Sequence, residues 1–389
     1  MVELDAVTAA WRALPPGDEA VLASVVHVEG SAYRRPGAHM LVTRDAARVG
    51  TISGGCLEAD VVRRAWWHTA TGRPVVRTYD TMSEGDARWE FGLGCQGIIQ
   101  VLLERVTSPS TQEYLAFLAA HRATRRAAVA ATVIRTAARS TLAVGDRLLV
   151  DDAGICGGAV ARTTSCDTVR AAAVEALDRG RSTLLHLGEA DVFVEYVAPQ
   201  PVLVIIGAGD DAQPVSLLAQ QLGWAVTVAD GRPGYAVPER FPGAATTTLR
   251  SGEGANALPI GPETFVVMMT HNYPFDAHML PSVVALSPRY LGLLGPRNRT
   301  EQLFVDTGLA MPSSVHAPVG LDLGGDTPAA VAMGIVAELQ AVQHGRAGSM
   351  LRTRTGSIHA PVETRGTEDF CAPAPPSVPT VCALTAYVA

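Results

Sequence analysis

The chain has 389 residues, a formal net charge of −7 and a composition of 48% hydrophobic to 18% charged residues. This balance describes a globular protein with material for two or three domains; it excludes global disorder and argues against general nucleic-acid binding, which draws on basic surfaces. All 31 basic residues are arginine, so Schiff-base lysine chemistry, a P-loop and a Ser–Lys dyad are excluded.

The opening Met-Val-Glu-Leu-Asp is acidic and leads into no apolar signal region, and no run approaches the length of a membrane span, so a cytoplasmic location with reduced thiols is expected. Residues 20–30 (AVLASVVHVEG) read as a buried strand and residues 39–43 (HMLVT) as a second. The turn-rich SAYRRPGA between them carries Arg34 and Arg35. The stretch GTISGGC then opens into a helix on which Leu57, Val61, Val62 and Ala65 recur at helical spacing. Strands follow at 74–80 and 97–106, separated by a long polar segment of a kind more often functional than inert. Helical patterns at 110–123 and 165–180 flank four more apolar strand patterns. A first α/β domain is therefore placed at 1–197, with Pro199-Gln200-Pro201 as linker.

The second domain, 201–350, opens with strand, glycine turn, helix, strand and acidic residue within about 30 residues, the order of a Rossmann-like, doubly wound parallel sheet. Further parallel strands are predicted in FVVMMTHN and YLGLLG, and a closing helix carries Thr327 as N-cap and Pro328 at its first position. From Gly366 to Ala389 the chain is a Pro-rich tail, where Cys371 and Cys382 are given no role.

Gly207-Ala208-Gly209-Asp210-Asp211-Ala212 matches the dinucleotide fingerprint directly after a strand. Gly207 serves the tight turn, Gly209 lets backbone N–H groups approach a pyrophosphate, and Ala212 allows close helix packing. Asp230, at the end of the next strand, is placed to accept from a ribose hydroxyl. Arg232 could recognise a 2′-phosphate or pair with Asp230 or Glu239. Two carboxylates beside the phosphate position leave open a Rossmann fold with a vacant or altered site. His271 ends a later strand, where open α/β sheets bind ligands; it reads either as a proton carrier or as a satisfied strand-end histidine.

In the first domain, Gly54 and Gly55 precede Cys56 at a helix start, where free N–H groups stabilise anions, a thiolate included. Cys95 lies in a second glycine-rich turn, Gly-Leu-Gly-Cys-Gln-Gly. Two such turns point to sulfur chemistry or a soft ligand, against the alternative of small buried apolar side chains. Arg34 and Arg35 read as a phosphate clamp or as a solvated pair. No C-x-x-C or H-E-x-x-H spacing occurs, and no metal site is expected.

The runs VVHVEGSAYRRPGAHMLVT, GTISGGCLEADVV, FGLGCQG, VIIGAGDDAQPVSLLAQQLGWAVTVADGRPGY, VVMMTHNYPFD, YLGLLGPRNR, PVGLDLGGDTPAAVAMGIVAEL and GSIHAP together resemble the XdhC/CoxI family, over about residues 20–361. These are maturation accessory proteins of xanthine dehydrogenase-type molybdenum hydroxylases. The resemblance implies an N-terminal XdhC/CoxI-type domain and a C-terminal Rossmann domain. It further implies a chaperone that binds molybdenum cofactor as cargo, supports its sulfuration with a cysteine desulfurase and delivers it to the apoenzyme; a homodimer is open. Carried over by motif, Cys56 and Cys95 would be the cofactor-handling thiols, with Gly54, Gly55, Arg34 and Arg35 as anion-binding surroundings. Two positions depart from the family pattern: Gln96 follows the second cysteine where glycine is usual, and Asp210 stands where histidine is common. They leave as alternative an NAD(P)-dependent oxidoreductase, with the dinucleotide on Gly207, Ala208, Gly209, Asp210, Asp230 and Arg232 and with His271 near the nicotinamide.

Overall fold

The computed structural model of the chain describes residues 2–55, 57–80, 97–355, 358–359 and 362–370. The chain divides into two compact units, Met1–Pro199 together with His359–Ala389, and Gln200–Ile358.

The first unit begins with α1 (Val2–Arg12), a helix with no clear periodic signal in the sequence. Its Val7 is fully buried, and Leu4, Ala10 and Trp11 pack around the same cluster. Then come β1 (Ala20–Gly30), β2 (His39–Thr43), β3 (Arg48–Gly50), α2 (Glu58–His68), β4 (Val75–Asp80) and β5 (Gly97–Arg105). The five strands form one antiparallel sheet in the order β3-β2-β1-β5-β4. The unbroken apolar run of β1 has a simple cause: both of its faces are covered. Val21, Ala23 and Val25 enter one core beneath α2, while Ala20 and Leu22 enter another. A strand buried on both sides loses the alternation a half-exposed strand would show.

Next in sequence are α3 (Pro109–Thr124), β6 (Ala128–Thr136), β7 (Arg147–Asp151), β8 (Gly154–Gly157), α4 (Cys166–Arg179), β9 (Thr183–His186) and β10 (Ala190–Val197). These strands build a second sheet, with β10 pairing antiparallel to both β6 and β9. A buried polar chain runs between elements of the two sheets. Ser24 Oγ lies 2.9 Å from His39 Nδ1, His39 Nε2 lies 3.1 Å from Glu195, and the Tyr114 hydroxyl donates to Glu195 at 2.6 Å. The Arg147 guanidinium stacks 4.3 Å from the Tyr114 ring and pairs with buried Glu104. Buried charges of this sort persist only when paired and hydrogen-bonded.

The second unit holds β11 (Val202–Ile206), α5 (Ala212–Gln221), β12 (Ala225–Asp230), β13 (Ala245–Thr248), β14 (Thr264–Met268), α6 (Tyr273–Ala285), β15 (Tyr290–Leu293), α7 (Arg297–Thr307), β16 (Val315–His316) and α8 (Pro328–Gln343). Its six strands are all parallel in the order β13-β12-β11-β14-β15-β16, the Rossmann arrangement. Leu203 and Ile205 face a core shared with Val215 and Ala219 of α5 and with Ile335 and Leu339 of α8. Val204 and Ile206 face the opposite core, with Met279 and Val283 of α6 and Leu303 of α7. The sheet is thus covered on both sides. Leu222, placed by periodicity on the buried stripe of α5, is 42% exposed, because the helix ends at Gln221 and Gly223 turns the chain through a positive φ of 86°. Thr327 caps α8, accepting from the Ala330 N–H at 3.2 Å, with Pro328 behind it as expected.

After the second unit the chain returns to the first. β17 (Glu363–Gly366) pairs parallel with β9, completing a sheet of order β17-β9-β10-β6-β7-β8. A 3₁₀ turn, Thr367–Phe370, follows, and Phe370 packs on the core beneath α4. The first residues assigned to the Pro-rich tail are therefore part of a sheet and its core.

Candidate functional site

In the first unit, strand direction gathers several segments at one end of the first sheet. Gly30, the last residue of β1, pairs with Gly97, the first of β5, and Asp80, the last of β4, pairs with Ile98. β3 ends at Gly50 opposite Met40, so residues 51–55 run on towards that same end. The approach is close: a Cβ added to Gly97 would lie 2.7 Å from the Ser31 carbonyl oxygen, and one added to Gly54 would lie 3.5 Å from the Tyr33 ring. Ala32, Ile52, Leu57, Tyr79 and Ile99 belong to one buried cluster below. The segment after Gly30 therefore stands between the flanks of the two glycine-cysteine turns. Cys56 and Cys95 themselves lie outside the described residues, as does the segment 81–96.

The glycine loop before α2 does bind an anion, and the anion is its own. Glu58, 1% exposed, accepts from the N–H groups of Ile52 at 3.1 Å, Ser53 at 2.8 Å and Gly55 at 3.0 Å. The hydroxyls of Thr51 and Ser53 donate to it as well. Burial alone would raise the Glu58 pKa, but these donors outweigh it and hold the carboxyl down at about 2. Ser53 Oγ also accepts from the Leu57 N–H at 3.0 Å. Both chain neighbours of Cys56, Gly55 and Leu57, are thus fixed by one carboxylate and one hydroxyl. Glu58 was missed at the level of sequence, because an acid in the first turn of a helix is ordinary. Arg34 pairs with Glu3 of α1, both side chains about one-third exposed, and the Arg35 carbonyl accepts from the Ala38 N–H at 3.2 Å.

In the second unit the glycine turn follows β11 as predicted. Gly207 has a φ of +113°, and a Cβ there would fall 2.6 Å from the Met269 carbonyl, so only glycine fits between β11 and the end of β14. The fingerprint's carboxylates are all matched with cations from the same chain. Asp210 pairs with Arg240 at 2.7 Å, and Arg240 also donates to the Ala208 carbonyl at 2.7 Å. Asp211 folds over the turn, its Oδ1 2.5 Å from where a Gly209 Cβ would stand, and its other oxygen lies 2.7 Å from His271 Nε2. His271 holds a φ of +55°, unusual for a residue with a side chain. Asp230, expected to accept from a ribose, takes four donors: the Ala208 N–H at 2.7 Å, the Arg232 N–H at 2.8 Å, and Arg232 Nε and Nη2 at 3.0 and 2.7 Å. A carboxylate has about four acceptor positions, so Asp230 is saturated. Burial would raise its pKa, yet Arg232 and Ala208 hold it below the usual range. Of the alternatives for Arg232, the structure selects Asp230. The structure thus joins His271 to the glycine turn through Asp211, and sequence spacing alone gave no reason to pair residues so distant. Among the described residues, no group of three or more His, Cys, Asp or Glu could hold a metal ion, and no helix is long and apolar enough to cross a membrane.

An open parallel sheet in Rossmann order, joined to a two-sheet unit with a glycine-rich loop before a helix, defines the class as a two-unit α/β protein with a nucleotide-fold second half. The family model for the XdhC Rossmann domain matches residues 203–339, and that for the XdhC and CoxI family matches residues 13–80. A probable xanthine dehydrogenase subunit of Bacillus subtilis is 33% identical over 330 residues, 83% of this chain and 92% of that protein. The Escherichia coli molybdenum cofactor insertion chaperone PaoD is 35% identical over 99 residues, 25% of this chain and 30% of its own. A crystal structure described as a xanthine dehydrogenase from Bacillus halodurans superposes with a TM-score of 0.72 at 28% identity, covering 90% of this chain and 98% of that one. The chain belongs to the XdhC and CoxI family.

Proposed function

We propose that this protein is a maturation accessory factor for a xanthine dehydrogenase-type molybdenum hydroxylase: it binds molybdenum cofactor, supports its sulfuration and hands it to the apoenzyme. The names of the Bacillus subtilis and Escherichia coli relatives support the accessory role. The observation that carries the reading further is the topology of the first sheet, which starts both cysteine-bearing turns from one end, on either side of the segment after Gly30. The cargo has a soft, sulfur-bound metal at one end and a phosphate at the other. Thiolates of Cys56 and Cys95 suit the first. Arg34 and Arg35 suit the second; a phosphate would compete with Glu3 for Arg34, an exchange that a partly exposed ion pair permits at small cost. A cysteine desulfurase supplies the sulfur and the apo-hydroxylase receives the product, so each contact is transient.

The test is to purify the protein from cells that make the cofactor and to measure released pterin by fluorescence after oxidation. Wild-type protein should carry pterin, Cys56→Ala and Cys95→Ala should each retain at least about tenfold less, and wild-type protein should activate apo-hydroxylase in vitro. Pterin-free wild-type protein from such cells overturns the proposal. One feature favours the second reading, an NAD(P)-dependent oxidoreductase: the His271–Asp211 pair beside the glycine turn, a couple suited to proton transfer. That reading requires Asp230 to release Arg232 before it can accept a ribose.

A further inference from the structure

A cavity of about 570 Å³ opens at the carboxyl ends of β12, β13 and β14, within the size range of small-molecule sites. It is walled by the segments that follow those strands, from Asp230 to Arg232, Leu249 to Glu253 and Thr270 to Phe275, together with His278 of α6. The glycine turn, 207–211, is not part of its wall. Ligands of open α/β sheets enter at this edge, yet here the open space and the fingerprint are separate features.

The walls have two characters. Leu249 and the Phe275 ring form an apolar side, and Phe275 presses on the backbone so closely that a Cβ on Gly231 would meet its ring at 2.8 Å. Cations form the other side. Arg232 has its charge balanced by Asp230, while Arg250 is 89% exposed and reaches Glu253 only at 3.9 Å. Glu253 instead holds the loop in shape, accepting from the Arg250 N–H at 2.7 Å, and its carbonyl lies 3.2 Å from His278 Nε2. A flat apolar wall beside guanidinium and imidazole groups fits a planar heterocycle carrying a phosphate.

We propose that this cavity binds a nucleoside monophosphate, its base against Leu249 and Phe275 and its phosphate on Arg232 and Arg250. A dinucleotide is disfavoured, because its pyrophosphate would have to cross a turn already covered by Asp211 and flanked by Asp210. The site stands apart from the cargo-handling first unit, and its failure would leave that proposal untouched.

Isothermal titration of the full-length protein with AMP, GMP, NAD⁺ and NADP⁺ tests it. Saturable binding of AMP or GMP below millimolar concentration is expected. Arg250→Ala, at an exposed position that should not perturb folding, is expected to weaken it at least about tenfold, with Arg250→Lys recovering part. Gly209→Asp should leave it unchanged. No saturable binding of either mononucleotide at about 5 mM overturns the proposal. Binding indifferent to Arg250→Ala also overturns it, as does NAD⁺ or NADP⁺ binding about tenfold tighter than AMP and abolished by Gly209→Asp.

Discussion

Glu58 shows how a loop that looks built for a foreign anion can be filled by its own chain. Five donors converge on a carboxylate that no solvent reaches, and two of them flank Cys56 in sequence. Glu58→Gln keeps the shape but puts an NH₂ where acceptors are needed, leaving buried N–H groups opposed. We expect a loss of roughly 2–4 kcal/mol in the first unit at neutral pH, read from denaturant melts. The pH dependence has a definite sign. A folded pKa of about 2 against an unfolded value of 4.5 means this stabilisation is complete above about pH 5 and fades as pH falls through 4.5 towards 2. The gap between wild type and Glu58→Gln should therefore narrow between pH 5 and pH 2; a constant gap would show that the charge is not what matters. Arg34 teaches the same lesson from the other sign. Its partner Glu3 sits on a helix 31 residues away, and nothing in the doublet Arg34-Arg35 announces that pairing.

At the scale of elements, the fingerprint turn rests on steric necessity. Gly207→Ala places a methyl group 2.6 Å from the Met269 carbonyl and asks alanine to hold a φ of +113°. The second unit should lose at least about 2 kcal/mol, seen as a lowered melting transition for that unit; an unchanged transition would mean the turn moves freely. The Rossmann half was legible because its signals are local: apolar strands, a glycine turn and an i, i+3, i+4 stripe on α5 all fall within a short window. β1 was legible for the opposite reason, as a run too apolar to be half-exposed. What escaped were elements whose reason for existing lies elsewhere. The strand β17, Glu-Thr-Arg-Gly, is polar, short and without alternation, and it is a strand only because β9 offers an edge. α1 depends on a cluster assembled from β1, β2, α3 and β10. In the sites, Gly207 and Asp230 were found by motif. The saturation of Asp230 by Arg232, and the Asp211–His271 pair, were not, since hydrogen-bond partners at a distance leave no trace in spacing.

For the whole molecule, the two units predict separable stabilities. β17 is tied to its neighbours by more than backbone: the Thr183 hydroxyl donates to the Glu363 carbonyl at 2.8 Å, Arg179 forks to the Glu363 carboxylate at 2.8 and 3.1 Å, and Arg365 reaches Glu175 at 2.8 Å. Ending the chain at Ile358 removes all of these along with Phe370. Calorimetry of that truncation should show the first unit's transition lowered by several degrees, about 2–4 kcal/mol, with the second unit's unmoved. Equal shifts in both, or none, would contradict the division. The returning strand also has a consequence for biogenesis. At roughly 5–20 residues per second, the ribosome needs on the order of 8–30 s to pass from the end of β10 to the start of β17. The Rossmann half is finished within that interval, while its elder neighbour waits with the rim of β9 bare. Of the two halves, the one translated first is the last to be completed, and a nascent chain in that interval is where a holdase should be sought.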